Sequence, residues 1–331
     1  MKEHGNMEET NFNQRTDLSE LKESIEKVRA EIKKIIVGQE KIIDMMIAAV
    51  LADGHVLIEG VPGIAKTLLA KLIARTISAD FSRIQFTPDL MPSDILGTSV
   101  FNMKTSEFEF NKGPIFSNII LIDEINRAPA KTQSALFEAM EERQVTVDGT
   151  TYKLDNPFTV FATQNPIEHE GTYKLPEAQL DRFLFKVEMG YPLPEEEVKI
   201  LLDLHNRKNV NDLSLIQPVF TKDSLRNLRE KVRTCHLDEK VAGYIGKIVN
   251  GTRSNSDIYL GGSPRASISI MIGAKATAAM NGRDFVTPDD VREVVYPALQ
   301  HRLLLTPEKE MEGKTTDDIV KTILERIEVP R

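Results

Sequence analysis

The sequence predicts an α/β fold, a parallel sheet with helices on both faces, followed by a smaller all-α domain. Up to about residue 190, short apolar segments alternate with segments of helical periodicity, which is typical of such a sheet. Beyond Pro192 the pattern is almost wholly helical. We therefore predict a disordered polar leader over 1–16, an α/β domain over 17–191 and a helical domain over 192–331.

Helices in the first domain are predicted from apolar residues three or four positions apart, as at Leu21, Ile25, Val28 and Ile32. This period predicts helices over 17–36, 39–51 and 68–77. Short apolar runs predict strands over 55–60, 83–86, 118–122, 158–163 and 183–187. In the second domain, the helical period extends over 195–206, 222–233, 239–253, 264–280 and 288–304.

Two segments interrupt the alternation of strands and helices. Residues 87–111 contain Pro88, Pro92 and Gly97 and then a polar stretch, which breaks the helical period. Residues 144–154 alternate around Asp148-Gly149, a dipeptide that favours the tight turn of a β-hairpin. We therefore predict an insertion over 87–111 and a hairpin over 144–154.

Composition narrows the functional classes. The net charge is −8, from 42 Lys and Arg against 50 Asp and Glu, and Trp is absent, which disfavours a surface that follows nucleic acid. No apolar run approaches the ~18 residues of a membrane span. The single cysteine, Cys235, cannot form an internal disulfide, and no secretory signal is evident, so we expect a cytoplasmic protein. The basic run over 222–233 includes Asp223 and Glu230 and is expected to be a solvated face.

The main functional motif is GVPGIAKT, which follows a predicted strand and precedes a predicted helix. In that context the backbone N–H groups of a glycine-containing loop surround phosphates, and the helix N-terminus adds a favourable dipole. We expect Lys66 to reach the β- and γ-phosphates of ATP and the Thr67 hydroxyl to bind Mg²⁺. The predicted nucleotide-binding residues of this segment are Gly60, Val61, Pro62, Gly63, Ile64, Ala65, Lys66, Thr67 and Leu68.

Ala65 departs from the strict phosphate-loop pattern, which has glycine at this position. If the backbone takes a positive φ there, alanine costs roughly 1–2 kcal/mol relative to glycine. The alternative to a phosphate loop is a glycine-bearing turn between strand and helix, followed by an incidental Lys-Thr pair.

Polar residues also end two later strands. NIILIDE ends in Asp123, which suits a Mg²⁺ ligand, and Glu124, which suits a base or an orienter for attacking water. Asn165 follows the strand predicted over 158–163 and would therefore lie at the ligand crevice of an open α/β sheet, where its amide could position water. The alternatives are acidic residues that begin a helix and an Asn-Pro turn.

The succession of motifs resembles AAA+ ATPases of the MoxR group. It runs VGQ, GVPGIAKT, LIDEINRAP, ATQNP, LPEAQLDRF, GSPRAS and GRDFVTPDDV, from about residue 31 to 305. DEINRAP and LPEAQLDRF are the more specific parts, because phosphate-loop proteins in general need neither. The resemblance implies an AAA+ P-loop core with a helical lid that binds ATP and Mg²⁺, and alanine at the position of Ala65 is frequent in this group.

The resemblance implies roles for residues outside the loop. Asn165 corresponds to sensor 1, Arg182 to the arginine finger that completes a neighbouring subunit's site, and Arg265 to sensor 2. Val37, Gly38 and Gln39 correspond to residues near the adenine. Residues 87–111 correspond to the insertion in the second helix, and 144–154 to the hairpin before sensor 1.

Alternatives stay open for the arginines. Arg127 is a rival finger, and Arg182 could instead form a surface ion pair with Glu177 or Asp181. Arg265 begins a predicted helix, where the helix dipole disfavours a cation, so its position calls for a nearby anion such as phosphate. Whether Arg265 serves its own subunit or a neighbour stays open.

The function implied by the resemblance is that of a ring oligomer, hexameric in the group, that hydrolyses ATP between subunits. Motion of its lid would remodel, activate or chaperone a protein client, often with a partner that carries a von Willebrand factor type A domain. Alternatives are a nucleic-acid motor, a magnesium chelatase-like ATPase subunit and, in another class, a nucleotide-gated scaffold without hydrolysis.

Overall fold

A computed structural model describes residues 17–166, 172–208 and 212–330; the predicted leader over 1–16 lies outside the described residues. The strands in chain order are β1 (Val56–Gly60), β2 (Ile77–Ser78), β3 (Phe81–Gln85), β4 (Gly97–Asn102), β5 (Glu107–Lys112), β6 (Ile119–Asp123), β7 (Gln144–Val147), β8 (Thr150–Lys153), β9 (Thr159–Gln164), β10 (Phe185–Met189), β11 (Phe220–Thr221), β12 (Ile258–Leu260) and β13 (Leu304–Leu305). Five of them form a parallel sheet in the order β10-β1-β9-β6-β3. The prediction of a parallel sheet is confirmed, and each of these strands begins and ends within two residues of its predicted range.

The helices complete the α/β alternation and then dominate the chain. They are α1 (Ser19–Lys33), α2 (Glu40–Leu51), α3 (Lys66–Thr76), α4 (Pro92–Leu96), α5 (Ala130–Glu142), α6 (Glu177–Leu180), α7 (Pro194–Asn206), α8 (Lys222–Arg233), α9 (Glu239–Ser254), α10 (Pro264–Met280), α11 (Pro288–Leu299), α12 (Pro307–Met311) and α13 (Thr316–Arg326). Thr221 caps α8 and Thr287 caps α11 through side-chain bonds to backbone N–H groups, which explains where these helices begin.

Burial follows the position of each strand in the sheet. All five residues of β6, and the first five of β9, are buried, because helices cover both faces of these central strands. One apolar cluster lies on each side of the sheet, and the larger one extends from Leu18 to Leu324. Because that cluster is continuous across residue 191, packing does not divide the chain there, and the predicted boundary stays a prediction.

The two interruptions adopt defined structures. Within 87–111, helix α4 precedes an antiparallel hairpin of β4 and β5. The predicted hairpin over 144–154 is formed by β7 and β8, and its turn residues Asp148 and Gly149 have φ values of 49° and 78°. Both hairpins form two-stranded sheets separate from the five-stranded parallel sheet.

The helical region differs from the prediction in two places. The helix predicted over 288–304 ends at Leu299, and Leu304–Leu305 instead pair with β12. The basic run of α8 is not wholly solvated, because Arg229 is buried and its guanidinium donates to the Val50 carbonyl and the Asp53 carboxylate. This bond network attaches α8 to the end of α2. Among the described residues, no helix is long and apolar enough to cross a membrane.

Candidate nucleotide-binding and hydrolysis site

The predicted phosphate loop connects β1 to α3 at the carboxyl edge of the sheet. Gly63 has φ 85°, and Ala65 has φ 69° and ψ 23° immediately before α3 begins at Lys66. Ala65 thus occupies the left-handed conformation that explains why glycine is usual at this position. A side chain at Gly60 would meet the Met189 carbonyl oxygen at 2.7 Å, so close packing against β10 excludes one there.

Lys66 points back over the strand ends. Its ammonium group donates to the carbonyl oxygens of Gly60, at the end of β1, and of Gln164, at the end of β9; the second bond is 3.1 Å long. These carbonyls hold the cation at the mouth of the loop. Asn165, the next residue after β9, is buried beside this position.

Asp123 and Thr67 bring together the oxygen atoms expected of a Mg²⁺ site. The Thr67 hydroxyl donates to Asp123 Oδ1 over 3.0 Å, and the Thr163 hydroxyl donates to the same oxygen over 3.3 Å. A hydroxyl and a carboxylate at this separation suit Mg²⁺, which prefers hard oxygen ligands and retains water in its shell. Arg83 Nε lies 2.6 Å from Asp123 Oδ2, so a cation already neutralises the second carboxylate oxygen.

Glu124 is held on the next residue of the chain. Its backbone has φ 59° and ψ 53°, a conformation that non-glycine residues rarely adopt and that often marks functional sites. Gln85 donates to Glu124 Oε2 over 2.8 Å, and Arg127 Nε lies 3.2 Å from the same oxygen. The rival finger Arg127 therefore lies beside the Glu124 carboxylate of its own chain.

Two of the three predicted adenine-side residues line a cleft of about 420 Å³ beside the phosphate loop. Val37 and Gln39 form one wall, together with Pro62–Ala65 and Leu68. The facing wall comes from α7, through Glu197 and the apolar residues Ile200, Leu201 and Leu204. Gly38 lies against the Glu196 carboxylate of α7 and has φ 69°, a conformation that favours glycine.

Arg182 and Arg265 lie at the opposite edge of the sheet. Arg182 precedes the amino end of β10 by three residues, whereas Gly60 pairs with Met189 at the carboxyl end of that strand. Helix α5 starts beyond the carboxyl end of β6 and runs back across the sheet; at its last turn, Glu141 contacts both arginines. Arg265 donates to both carboxylate oxygens, at 2.7 and 3.3 Å, and Arg182 Nε lies 3.2 Å from Oε2.

These contacts show which anions lie beside the two arginines. Within the described chain, Arg265 contacts the Glu141 carboxylate, and its contact with a phosphate of its own or a neighbouring subunit stays a prediction. Arg182 also pairs with Glu141 instead of Glu177 or Asp181, and its guanidinium lies over the Phe137 ring, with 5.9 Å to the ring centroid. The arginines predicted to act at nucleotide sites are thus paired with each other through one carboxylate.

Sequence inspection missed several residues of the site. Arg83 and Gln85 lie on β3, where the parallel register with β6 places Gln85 beside Asp123. Arg83 and Gln85 alternate with the buried Ile84, a pattern typical of an edge strand, but that pattern does not identify their partners. Glu141 is one of several acidic residues at the end of α5, and the sequence does not distinguish it from the others. The sequence of α7 predicts a helix but does not indicate that the helix faces the phosphate loop.

Comparisons with known proteins agree with this geometry. Residues 55–185 match the family model described as ATPase family associated with various cellular activities (AAA), and residues 250–323 match the AAA lid domain. The chain is 48% identical to the protein YeaC of Bacillus subtilis over 90% of this chain and 92% of that protein. It is 44% identical to Chaperone MoxR1 of Mycobacterium tuberculosis over 93% of this chain and 83% of the relative.

More distant relatives and a solved structure extend the comparison. Protein MoxR of Methylorubrum extorquens is 25% identical over 95% of this chain and 97% of its own length. A crystal structure of a predicted ATPase from Cytophaga hutchinsonii superposes with a TM-score of 0.86 at 43% identity, covering 94% of this chain and 96% of the other.

Proposed function

Because this chain belongs to the MoxR family of AAA+ ATPases, we propose that it hydrolyses Mg²⁺-ATP in a ring whose active sites are shared between subunits. One subunit supplies the phosphate loop, Asp123, Glu124 and Asn165, and the next supplies Arg182 and Arg265. The ring converts nucleotide binding into movement of the helical lid against a protein client.

The separation of the two groups of residues carries this proposal. Lys66 lies at the carboxyl end of β1, and Arg182 lies before the amino end of the neighbouring parallel strand β10. The four residue steps of that strand alone span about 13 Å. Arg182, and Arg265 that pairs with it through Glu141, would therefore lie far from a nucleotide on their own loop, which supports a role at a site presented by another copy.

The chemistry follows from the groups at the carboxyl edge. The loop N–H groups and Lys66 would bind the phosphates, while Glu124 would accept a proton from the attacking water or orient it, and the Asn165 amide would hold that water in line. Thr67 and Asp123 would hold Mg²⁺, which neutralises charge on the β- and γ-phosphate oxygens. An arginine from the next subunit would stabilise the charge of the transition state, an effect worth about 10³–10⁵ in rate in related phosphoryl transfer.

Lid movement is supported by the wall of the nucleotide cleft. ATP would contact the phosphate loop on one side and α7 on the other, so its occupancy would bias the position of α7 relative to the sheet. Helix α7 has no buried residue, which leaves it few packing contacts to resist such movement. The energy of nucleotide binding would thus reach the helical region through this helix.

We propose that the client protein binds exposed apolar residues on the β4-β5 hairpin. Phe101, Met103 and Phe108 are exposed there. A protein with a von Willebrand factor type A domain is the proposed partner, as the family resemblance implies. A pull-down with Glu124→Gln in ATP, from an extract of the source cells, should recover such a protein; recovery of none, with or without ATP, would contradict this part.

The shared site is tested by ATP turnover as a function of protein concentration. Wild-type turnover per subunit should rise with concentration as rings form, and sizing in ATP should show the ring. Glu124→Gln should bind ATP with little turnover, and Arg182→Ala should bind ATP but lose at least about 10³-fold in rate. Arg326→Ala, an exposed arginine at the end of α13, is the control and should behave as wild type. A constant turnover per subunit at all concentrations would exclude a shared site, and background turnover by intact rings would favour the non-hydrolysing scaffold.

A further inference from the structure

The side chain of Arg302, in the turn after α11, is buried and makes an unusual number of hydrogen bonds. Only 3% of the side chain is exposed. Within its own region it donates to the Ala298 carbonyl and to Ser269 Oγ. Its other bonds all reach the segment Asp181–Leu184, more than a hundred residues earlier in the chain.

These bonds clamp the segment that carries Arg182. Arg302 Nε donates to Asp181 Oδ1 over 2.6 Å, and Nη2 donates to the carbonyls of Asp181 and Phe183 over 3.0 and 2.7 Å. Nη1 donates to the Leu184 carbonyl over 3.2 Å. The backbone on both sides of Arg182 is therefore held by one guanidinium.

Neighbouring residues of the helical region reinforce the clamp. His301 Nε2 donates to the Phe183 carbonyl over 2.9 Å, and Ser263 Oγ donates to Asp181 Oδ2 over 3.3 Å. Glu141, at the end of α5, adds the link between Arg182 and Arg265 at the start of α10. The position of Arg182 thus depends on α10 and on the turn after α11.

Burying the Arg302 guanidinium carries a desolvation penalty that an apolar side chain would avoid. Burial lowers the pKa of Arg302, while the Asp181 carboxylate acts in the opposite direction by favouring the charged form. An apolar side chain would pack in this place without desolvating a charge. What the planar fork adds is a fixed geometry for several carbonyl oxygens at once, which lysine cannot reproduce.

We propose that Arg302 is a positioning residue that ties the finger Arg182 to the helical lid of its own subunit. When the lid of one subunit moves, the segment around Arg182 moves with it, and the arginine reaches or leaves the ATP of the next subunit. The inference rests on the proposed function, because it requires that Arg182 act in trans.

The test is rescue in mixed rings. Arg302→Lys keeps the charge and can still pair with Asp181 but cannot hold the carbonyls of Phe183 and Leu184. The variant alone should bind ATP and form rings as wild type does, yet turn over about 100-fold more slowly, the effect expected when a catalytic group is displaced by about 1 Å. Mixed with Lys66→Ala, which lacks nucleotide binding but has an intact finger, it should recover about a quarter of the wild-type turnover. That fraction follows because half of the sites keep Lys66 and half of their neighbours keep a positioned Arg182.

Two controls make the outcome decisive. Arg283→Lys alters another lid arginine, which pairs with Asp290 over 2.6 Å and does not contact residues 181–184, and it should keep wild-type turnover. Arg182→Ala mixed with Lys66→Ala reports on the trans finger itself. If that mixture recovers turnover and the Arg302→Lys mixture does not, Arg302 acts on its own site or on folding, and the proposal is overturned.

Three further outcomes of this experiment also test the proposal. Wild-type turnover by Arg302→Lys alone would overturn the proposal, because the finger would not need the clamp. Failure of the Arg182→Ala mixture would overturn the proposed function and this inference together. If Arg302→Lys does not fold, Asp181→Asn takes its place in the same mixture, since it removes the clamp's charge partner and retains its shape; rescue supports the proposal and its absence overturns it.

Discussion

Replacing Ala65 by glycine measures the strain that the phosphate loop carries. Ala65 has φ 69°, and this left-handed conformation costs alanine about 1–2 kcal/mol relative to glycine. Two terms oppose the gain: glycine loses about 0.4–1 kcal/mol more on folding, through the entropy of the unfolded chain, and the half-buried methyl group contributes about 0.4 kcal/mol. We therefore expect Ala65→Gly to raise the free energy of unfolding by about 0.5 kcal/mol.

The same substitution at Ala242 provides the matched control. Ala242 is exposed inside α9, where glycine costs about 1 kcal/mol relative to alanine. The change in the unfolded chain is the same for both variants, so it cancels in their difference, which should be about 1.5 kcal/mol. Urea unfolding followed by circular dichroism, without nucleotide, measures this difference. If Ala65→Gly loses as much stability as Ala242→Gly, the backbone at Ala65 is not strained.

Three other predictions concern charge and burial. Desolvation holds the pKa values of His55 and His301 well below 6.5. The unfolded chain therefore binds protons that the folded chain does not. The free energy of unfolding should fall from pH 7 to pH 5, by up to about 1.4 kcal/mol per pH unit for each histidine. Urea midpoints that do not change with pH would contradict this. Burial raises the pKa of Cys235 to about 11, so a thiol reagent at pH 8 should label it far more slowly in the folded protein than in urea, and equal rates would contradict its burial. Arg83→Gln removes the cation beside Asp123 and should lower the Mg²⁺ concentration for half-maximal turnover by up to about tenfold; an increase would mean that Arg83 orders the carboxylate instead.

The nucleotide-binding edge could be predicted from the sequence because its parts are local. Gly60 and Asp123 are the last residues of apolar strands, and Asn165 directly follows one. Parallel strands end at the same edge of a sheet, so these three positions had to meet once the sheet was correct. Ala65 also followed from local reasoning, since its backbone angle is a property of the loop itself.

The partners of the arginines could not be predicted, because they arise from tertiary packing. Arg265 and Glu141 are 124 residues apart, and no sequence period links α10 to the end of α5. An anion was expected beside Arg265, and the one that contacts it within the described chain is a carboxylate that the sequence did not indicate. The register of β3 against β6, which brings Arg83 to Asp123, was equally invisible in either strand alone.

The end of α11 shows tertiary contacts that override a local pattern. The apolar period continues to Leu304, yet the helix ends at Leu299, two residues after the internal Pro297. The turn that follows lets His301 and Arg302 reach the carbonyls of residues 181–184, and Leu304–Leu305 pair with β12. Those bonds replace the helical ones that were predicted.

Mixing Lys66→Ala with Arg182→Ala subunits tests most directly whether a second subunit completes the nucleotide site. Each variant alone should show turnover near background, because one lacks phosphate binding and the other lacks the finger. An equal mixture in ATP should recover about a quarter of the wild-type rate, as one site in four combines an intact loop with an intact neighbour. A mixture that stays at the background of its two components, while sizing shows mixed rings, would contradict the shared site.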